Sequence, residues 1–134
     1  MKRTTAVVAG ITAALLLALF VRADAQAPAT FKRTVLQQGD LSAPGREAVM
    51  ALAEFQLAGA SGRHTHPGDE IAYVLAGPIG LDIDGKPART LQTGEVFMIP
   101  AGTVHTVKNL STGPAKVLAT YVIEKGKPVA TPAP

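Results

Sequence analysis

The stretch GEVFMIPAGTVHTVKN, Gly94 to Asn109, decides how this chain folds. Its two arms, EVFMIP (Glu95 to Pro100) and HTVKNL (His105 to Leu110), repeat with a period of two rather than 3.6, and Pro100-Ala101-Gly102 breaks them apart. A period of two sends successive side chains to opposite faces of a strand, so the stretch reads as two strands around a turn.

The same pattern continues on both sides. Val49, Ala51, Ala53, Phe55 and Leu57 alternate with Met50, Leu52, Glu54 and Gln56. EIAYVLAG (Glu70 to Gly77), GLDID (Gly80 to Asp84) and AKVLATYVIE (Ala115 to Glu124) extend the series. Turn residues fill every gap: Pro67-Gly68, Asp84-Gly85, Thr93-Gly94 and Thr112-Gly113-Pro114. Asp-Gly is a strong hairpin signal, because glycine tolerates the positive φ of a tight primed turn. Short strands at intervals of about 8–12 residues, with no helical stretch between them, predict an all-β antiparallel sandwich or barrel.

The ends read differently. Met1-Lys2-Arg3 is basic, Thr5 to Val21 is apolar, and Ala23-Asp24-Ala25 has the small-x-small form of a secretory cleavage site. The apolar run is shorter than the roughly 20 residues a membrane-spanning helix needs. Residues 1–25 are therefore expected to be a signal peptide, with a periplasmic or secreted product and no stable membrane association after cleavage. Residues 26–124 are expected to form one barrel domain. Residues 125–134, KGKPVATPAP, read as a flexible Pro-rich tail, since proline cannot join a sheet interior.

Composition narrows the partners. The chain has no cysteine, which excludes a lipid-anchored lipoprotein and leaves packing, or a metal, to hold the fold. The net charge of +3 falls to +1 once Lys2, Arg3, Arg22 and Asp24 leave with the signal. With no basic stripe and only six aromatic residues, four Phe and two Tyr, the chain is not equipped to bind nucleic acid.

GRHTHPGDE, Gly62 to Glu70, holds two of the three histidines. On an extended strand His64 and His66 leave the same face, and Pro67-Gly68-Asp69 can turn the chain so that Glu70 joins them. Two imidazoles and a carboxylate form a recognised donor set for a catalytic divalent ion. From these residues alone, an exposed polar loop and a carboxylate acting as general base remain open as alternatives.

Together the two stretches resemble the paired motifs of a small single-domain cupin. The first motif reads His64, His66, Glu70, Gly77, and the second Gly94, Pro100, Gly102, His105, Asn109. At typical residue frequencies, a chance match of those nine positions in one alignment is on the order of 10⁻¹². One departure stands upstream, where the family's first glycine is replaced by Ala58 and Gly59 follows one position later, which puts the turn length there in question.

The resemblance implies a jelly-roll barrel, or double-stranded β-helix, holding one divalent transition metal ion (Fe, Mn, Ni or Zn) through His64, His66, Glu70 and His105. It implies action on a small-molecule ligand or substrate by dioxygenase-type chemistry. Two alternatives stay open: a metal-dependent isomerase or lyase, and a non-enzymatic cupin that binds a small molecule or the metal. Small cupins of this kind often pair through outer strands, which makes a homodimer the assembly to test.

Among the other residues, Arg63 alternates away from the histidines and is expected at the surface, Asp69 is expected to shape the turn, and Asn109 to bond either a backbone group or an atom that supports the metal ligands. Met50, Phe55, Phe97, Met98 and Tyr121 read as pocket lining or core, and Glu54 and Gln56 as polar groups that could reach substrate.

Overall fold

A computed structural model describes residues 30–134, so the expected signal peptide lies outside the described residues. Ten strands form two five-stranded antiparallel sheets. They are β1 (Phe31–Asp40), β2 (Arg46–Phe55), β3 (His64–Thr65), β4 (Gly68–Ala76), β5 (Ile79–Ile83), β6 (Arg89–Leu91), β7 (Val96–Ile99), β8 (His105–Asn109), β9 (Ala115–Glu124) and β10 (Thr131–Pro132). The first sheet runs β1-β2-β9-β4-β7 and the second β10-β3-β8-β5-β6. The described residues contain no helix, and hence none long and apolar enough to cross a membrane. This is the all-β antiparallel architecture expected from the strand periodicity, in the two-sheet jelly-roll form that the resemblance implied.

Alternation explains why the strands form where they do. Val49, Ala51, Ala53 and Phe55 on β2 are buried, as are Val117, Ala119, Tyr121 and Ile123 on β9, while the residues between them face outward. β2 and β9 pair without a break from Arg46↔Glu124 to Phe55↔Ala115. A one-residue slip would turn every one of these apolar side chains into water. Each fully buried Val, Ile or Phe contributes roughly 1.5–3 kcal/mol, so the register is tightly specified.

The register also positions polar groups. On β4, Glu70 falls in phase with buried Ala72 and Val74 and is carried inward, opposite Tyr121 of β9. In the second sheet His64 of β3 lies opposite His105 of β8. The two sheets thus deliver donors to one end of the barrel from opposite walls.

The upstream departure at Ala58 is resolved by its backbone. Ala58 has φ +57°, in the left-handed region that glycine usually occupies, and Gly59 is pressed against the Thr30 and Gln56 carbonyl oxygens, leaving no room for a Cβ. An alanine thus occupies a strained position that suits glycine.

The reading of residues 125–134 as a flexible tail is corrected by the packing. Thr131 and Pro132 pair with Thr65 and His64, and half-buried Val129 packs against the core. Proline is tolerated because β10 is an edge strand, where one side of the ladder makes no bonds. β1, β3, β6 and β10 are the strands that periodicity did not reveal: three have only two or three residues, and β1 is exposed along its second half.

Candidate metal centre

His64, His66 and His105 are all buried, and one ring nitrogen from each lies within 4.8 Å of the others, close enough for the three to hold one ion. The ring centroids of His64 and His105 are 4.3 Å apart, and those of His66 and His105 are 5.1 Å apart. Glu70 is only 4 % exposed and points its Oε2 into the cluster, 3.1 Å from His105 Nε2 and 3.2 Å from His66 Nε2. The three histidines singled out by the sequence therefore meet, and Glu70 joins them through His66 and His105.

The outer nitrogen of each ring is fixed by a backbone carbonyl. His64 Nδ1 lies 2.9 Å from Gly62 O, His66 Nδ1 2.6 Å from Val129 O, and His105 Nδ1 2.9 Å from Thr103 O. A carbonyl oxygen can only accept, so each Nδ1 carries the proton and donates it. The Nε2 of each neutral ring then offers a lone pair to the centre. His66 Nε2 is buried without a hydrogen-bond partner, although Glu70 lies nearby.

Two acceptors at 3.1 Å, His105 Nε2 and the Glu70 carboxylate, repel unless a positive charge lies between them. A proton or a metal ion meets that need. Burial is the main cause that pulls His64 down to about 4, so at neutral pH this ring stays unprotonated and available as a donor. Burial pushes Glu70 up, but when a proton sits between it and His105 or His66 the hydrogen bond and charge from those rings outweigh burial and hold the carboxyl at about 2, and a metal ion would take that proton's place. Neutral imidazole nitrogens around an ionised carboxylate have the donor chemistry that divalent transition metals require.

The loops that carry these residues are tied to each other. Gly102 N donates to His66 O at 2.9 Å, and Ala101 N donates to Asp69 Oδ1 at 3.1 Å. Asp69 thus clamps the Pro100–Thr103 turn onto the first motif, a cross-link beyond the local turn role expected of it. Gly102 has φ +71°, which suits glycine there, whereas Gly68 is required for space, since a Cβ would collide with Val122 O. Asn109 Nδ2 donates to the carbonyls of Phe55, Gln56 and Gly113, while its Oδ1 accepts from Ser111 N. It is a strut for backbone, as expected, and is remote from the histidine nitrogens in its contacts.

The surrounding residues divide cleanly. Tyr121 stacks on His66 with centroids 4.6 Å apart, and burial followed by the Glu70 charge pushes its phenol up to about 12. Phe55 and Phe97 are core, whereas Met50 and Met98 are on the outer face, 39 % and 57 % exposed. Glu54 pairs with Lys116 at 3.3 Å and Gln56 is exposed, so neither enters the site. Arg63 is at the surface as expected, in a two-pronged pair with Asp84 at 2.8 Å for each contact.

Arg33 was missed. It belongs to β1, whose exposed half hides the alternation, yet its Nε donates to Tyr121 OH at 3.2 Å. A cavity of about 10 Å³, room for about one water, lies beside His64, Glu70 and His105 and is closed by Phe31, Arg33 and Tyr121. Outside it, a pocket of about 340 Å³ is lined by Arg33, Arg63, His64 and the tail residues Ala130 and Pro132.

Comparison with known proteins agrees with this geometry. The cupin-domain family model matches residues 51–121, which include all four converging side chains. Germin-like protein subfamily 2 member 2 of Arabidopsis thaliana is 34% identical over 77 residues, covering 54% of this chain and 35% of the relative. The chain spans about a third of the length of the curated relatives it matches. A cupin superfamily protein of Desulfitobacterium hafniense DCB-2 superposes with a TM-score of 0.59 at 21% identity, over 70% of this chain and 78% of that one. A DMSP lyase of Ruegeria pomeroyi DSS-3 gives a TM-score of 0.65 at 21% identity, over 84% of this chain and 56% of that one. At such identities the two solved structures speak for the fold, and the family match, extending over more than half of the residues, speaks for descent: the chain belongs to the cupin family.

Proposed function

We propose that this protein is a divalent-metal cupin acting on a small molecule, with His64, His66, Glu70 and His105 as the metal ligands. The supporting observation is the fixed tautomer of each ring: three Nδ1–H groups are taken up by carbonyls, which leaves three Nε2 lone pairs for one ion, two of them beside the Glu70 carboxylate. Four protein donors leave one or two positions of a six-coordinate ion for an exogenous ligand. A bound ion would supply Lewis-acid polarisation of that ligand and, if redox-active, one-electron chemistry.

The protein's own share is binding, orientation and exclusion of water. Apart from the proposed ligands, the titratable side chain closest to the histidines is Tyr121, which keeps its proton at neutral pH and can donate but not abstract one. A lyase or isomerase needs a base to move a proton. Lack of such a base in the cavity lining favours chemistry centred on the metal, of the dioxygenase type, and the DMSP lyase neighbour bears on fold alone. The small cavity also suits a second reading, in which the metal binds a ligand without turnover. The N-terminal Lys2-Arg3, apolar run and Ala-Asp-Ala sequence support a periplasmic or secreted location.

A homodimer is the proposed assembly. Across the outer face of the first sheet, Val96, Tyr73, Leu118 and Leu52 form one cross-strand row, and Met98, Ile71, Thr120 and Met50 the next. Val96, Met98 and Ile71 are each more than half exposed, an apolar surface suited to a second copy.

Elemental analysis and chelator competition test the metal. The wild-type chain is expected to hold one transition-metal ion per barrel, and His105→Ala to bind it at least 100-fold more weakly. Absence of bound metal after reconstitution, with no change on His64→Ala or His105→Ala, refutes the assignment. Oxygen uptake with a candidate substrate, lost in Glu70→Gln while the fold persists, separates turnover from binding alone.

A further inference from the structure

We propose that Arg33 makes the cavity a site for a small carboxylate, the substrate or ligand entering with its carboxylate on the guanidinium and the rest of the molecule toward the histidine cluster. This rests on the metal reading above and gives it a ligand class.

Four observations converge on Arg33. Its side chain lines both the inner cavity, with His64, Glu70 and His105, and the outer pocket, so it stands on the route between solvent and the donors. The guanidinium lies over Phe31 at 5.3 Å and over Tyr121 at 5.6 Å from the ring centroids, which fixes its plane. Nε is engaged by Tyr121 OH at 3.2 Å, whereas the terminal Nη1 and Nη2 groups have no hydrogen-bond partner among the described residues. Finally, no carboxylate lies within ion-pair distance of it among the described residues, in contrast to Arg63, which is satisfied by Asp84.

Arg33 is only partly buried and its Nη1 and Nη2 groups reach solvent, so an anion entering the pocket can replace water on them with charge-assisted hydrogen bonds. The free Nη1–Nη2 edge is a two-pronged donor matched to the two oxygens of a planar carboxylate. Charge points the same way. Three neutral imidazoles, the Glu70 anion and the Arg33 cation sum to zero, and a divalent ion raises the total to +2, so the loaded site attracts anions and repels cations. The inner cavity has room for about one water, so only the leading atom of the ligand fits beside the donors, and the remainder lies in the outer pocket.

Isothermal titration calorimetry of the zinc-loaded full chain with malonate, with its uncharged diamide malonamide and with inorganic phosphate tests this. Malonate is expected to bind measurably and malonamide at least tenfold more weakly. Arg33→Gln should weaken malonate about 10- to 100-fold while leaving zinc affinity within threefold. Arg33→Lys, which keeps the charge without the fork, should fall between, and a thermal melt of each variant shows that the barrel is retained. Equal binding of malonate and malonamide, equal malonate affinity in Arg33→Gln, or phosphate bound with malonate excluded overturns the carboxylate assignment. Failure of the wild-type chain to take up zinc overturns the metal reading instead, and malonate binding by the metal-free chain then reports on Arg33 by itself.

Discussion

Val129 holds His66 from outside the motifs, and removing residues 129–134 tests what the closing segment does for that ring. The deletion takes away the acceptor for His66 Nδ1, a 2.6 Å hydrogen bond, together with the pairing of Thr131 and Pro132 on β3. Without the carbonyl, the ring is free to move its proton to Nε2 or to rotate, and each state in which Nε2 is protonated or averted is lost to metal binding. Loss of such an outer partner typically lowers metal affinity 10- to 100-fold, which is about 1.4–2.7 kcal/mol. A shorter deletion, residues 133–134, removes only the Ala133 N to Arg63 O and Arg63 Nε to Pro134 O bonds and keeps Val129 in place. It should change affinity less than threefold. Zinc competition against a chromophoric chelator measures both, and nitrogen-15 NMR of the histidine rings reads the tautomer directly. The reasoning is refuted if the longer deletion binds zinc as tightly as the full chain, or if the two deletions weaken it equally.

Ala58→Gly should stabilise the protein by about 0.5–1 kcal/mol, because it relieves a left-handed alanine and the gain is partly offset by glycine's greater freedom in the unfolded chain; a thermal melt should move up by a few degrees. Asn109→Ala leaves three carbonyl oxygens without their shared donor and should cost about 2–4 kcal/mol in urea unfolding, with metal affinity per folded molecule unchanged within threefold. The metal-free protein should lose stability on acidification. His64 is lowered from 6.5 to about 4, so the unfolded chain takes up its proton first and roughly 3 kcal/mol is lost between those values. Glu70, lowered to about 2, adds a loss in the same direction below pH 4.5; flat stability from pH 7 to 4 contradicts the first, and flat stability from pH 4.5 to 2 the second. Ile71→Lys, placing a charge in the outer apolar rows, should convert the proposed dimer to a monomer by light scattering at micromolar concentration, and a wild-type monomer under those conditions removes the dimer.

Much of the barrel was legible because one face of each long strand is buried. β2, β4 and β9 alternate without interruption, so their apolar residues announce both strand and inner face. β1 is comparably long but only its first residues cover the core, and its pattern dissolves after Thr34 into a run of exposed residues, Val35 and Leu36 included. The Pro-rich end misled for a different reason. Its packing depends on edge pairing and on one carbonyl, neither of which needs a particular side chain, and proline's known cost in sheet interiors pointed the wrong way.

The candidate site shows the same division between side chain and main chain. His64, His66, Glu70 and His105 are side-chain chemistry and could be found by spacing. The three groups that orient the imidazoles, Gly62 O, Thr103 O and Val129 O, are main-chain atoms that every residue type supplies. Two of them sit two residues before the histidine they hold, so the loop leading into each strand fixes the tautomer of the ring at its start. The third comes from 63 residues away, and only the fold could reveal it. His66, between the strands β3 and β4, is the histidine without a strand of its own to orient it, and it is also the one whose Nε2 is buried with no partner. The closing segment therefore completes the donor set as much as it covers the barrel, and Arg33, on the edge strand at the opposite end of the same sequence, completes the charge.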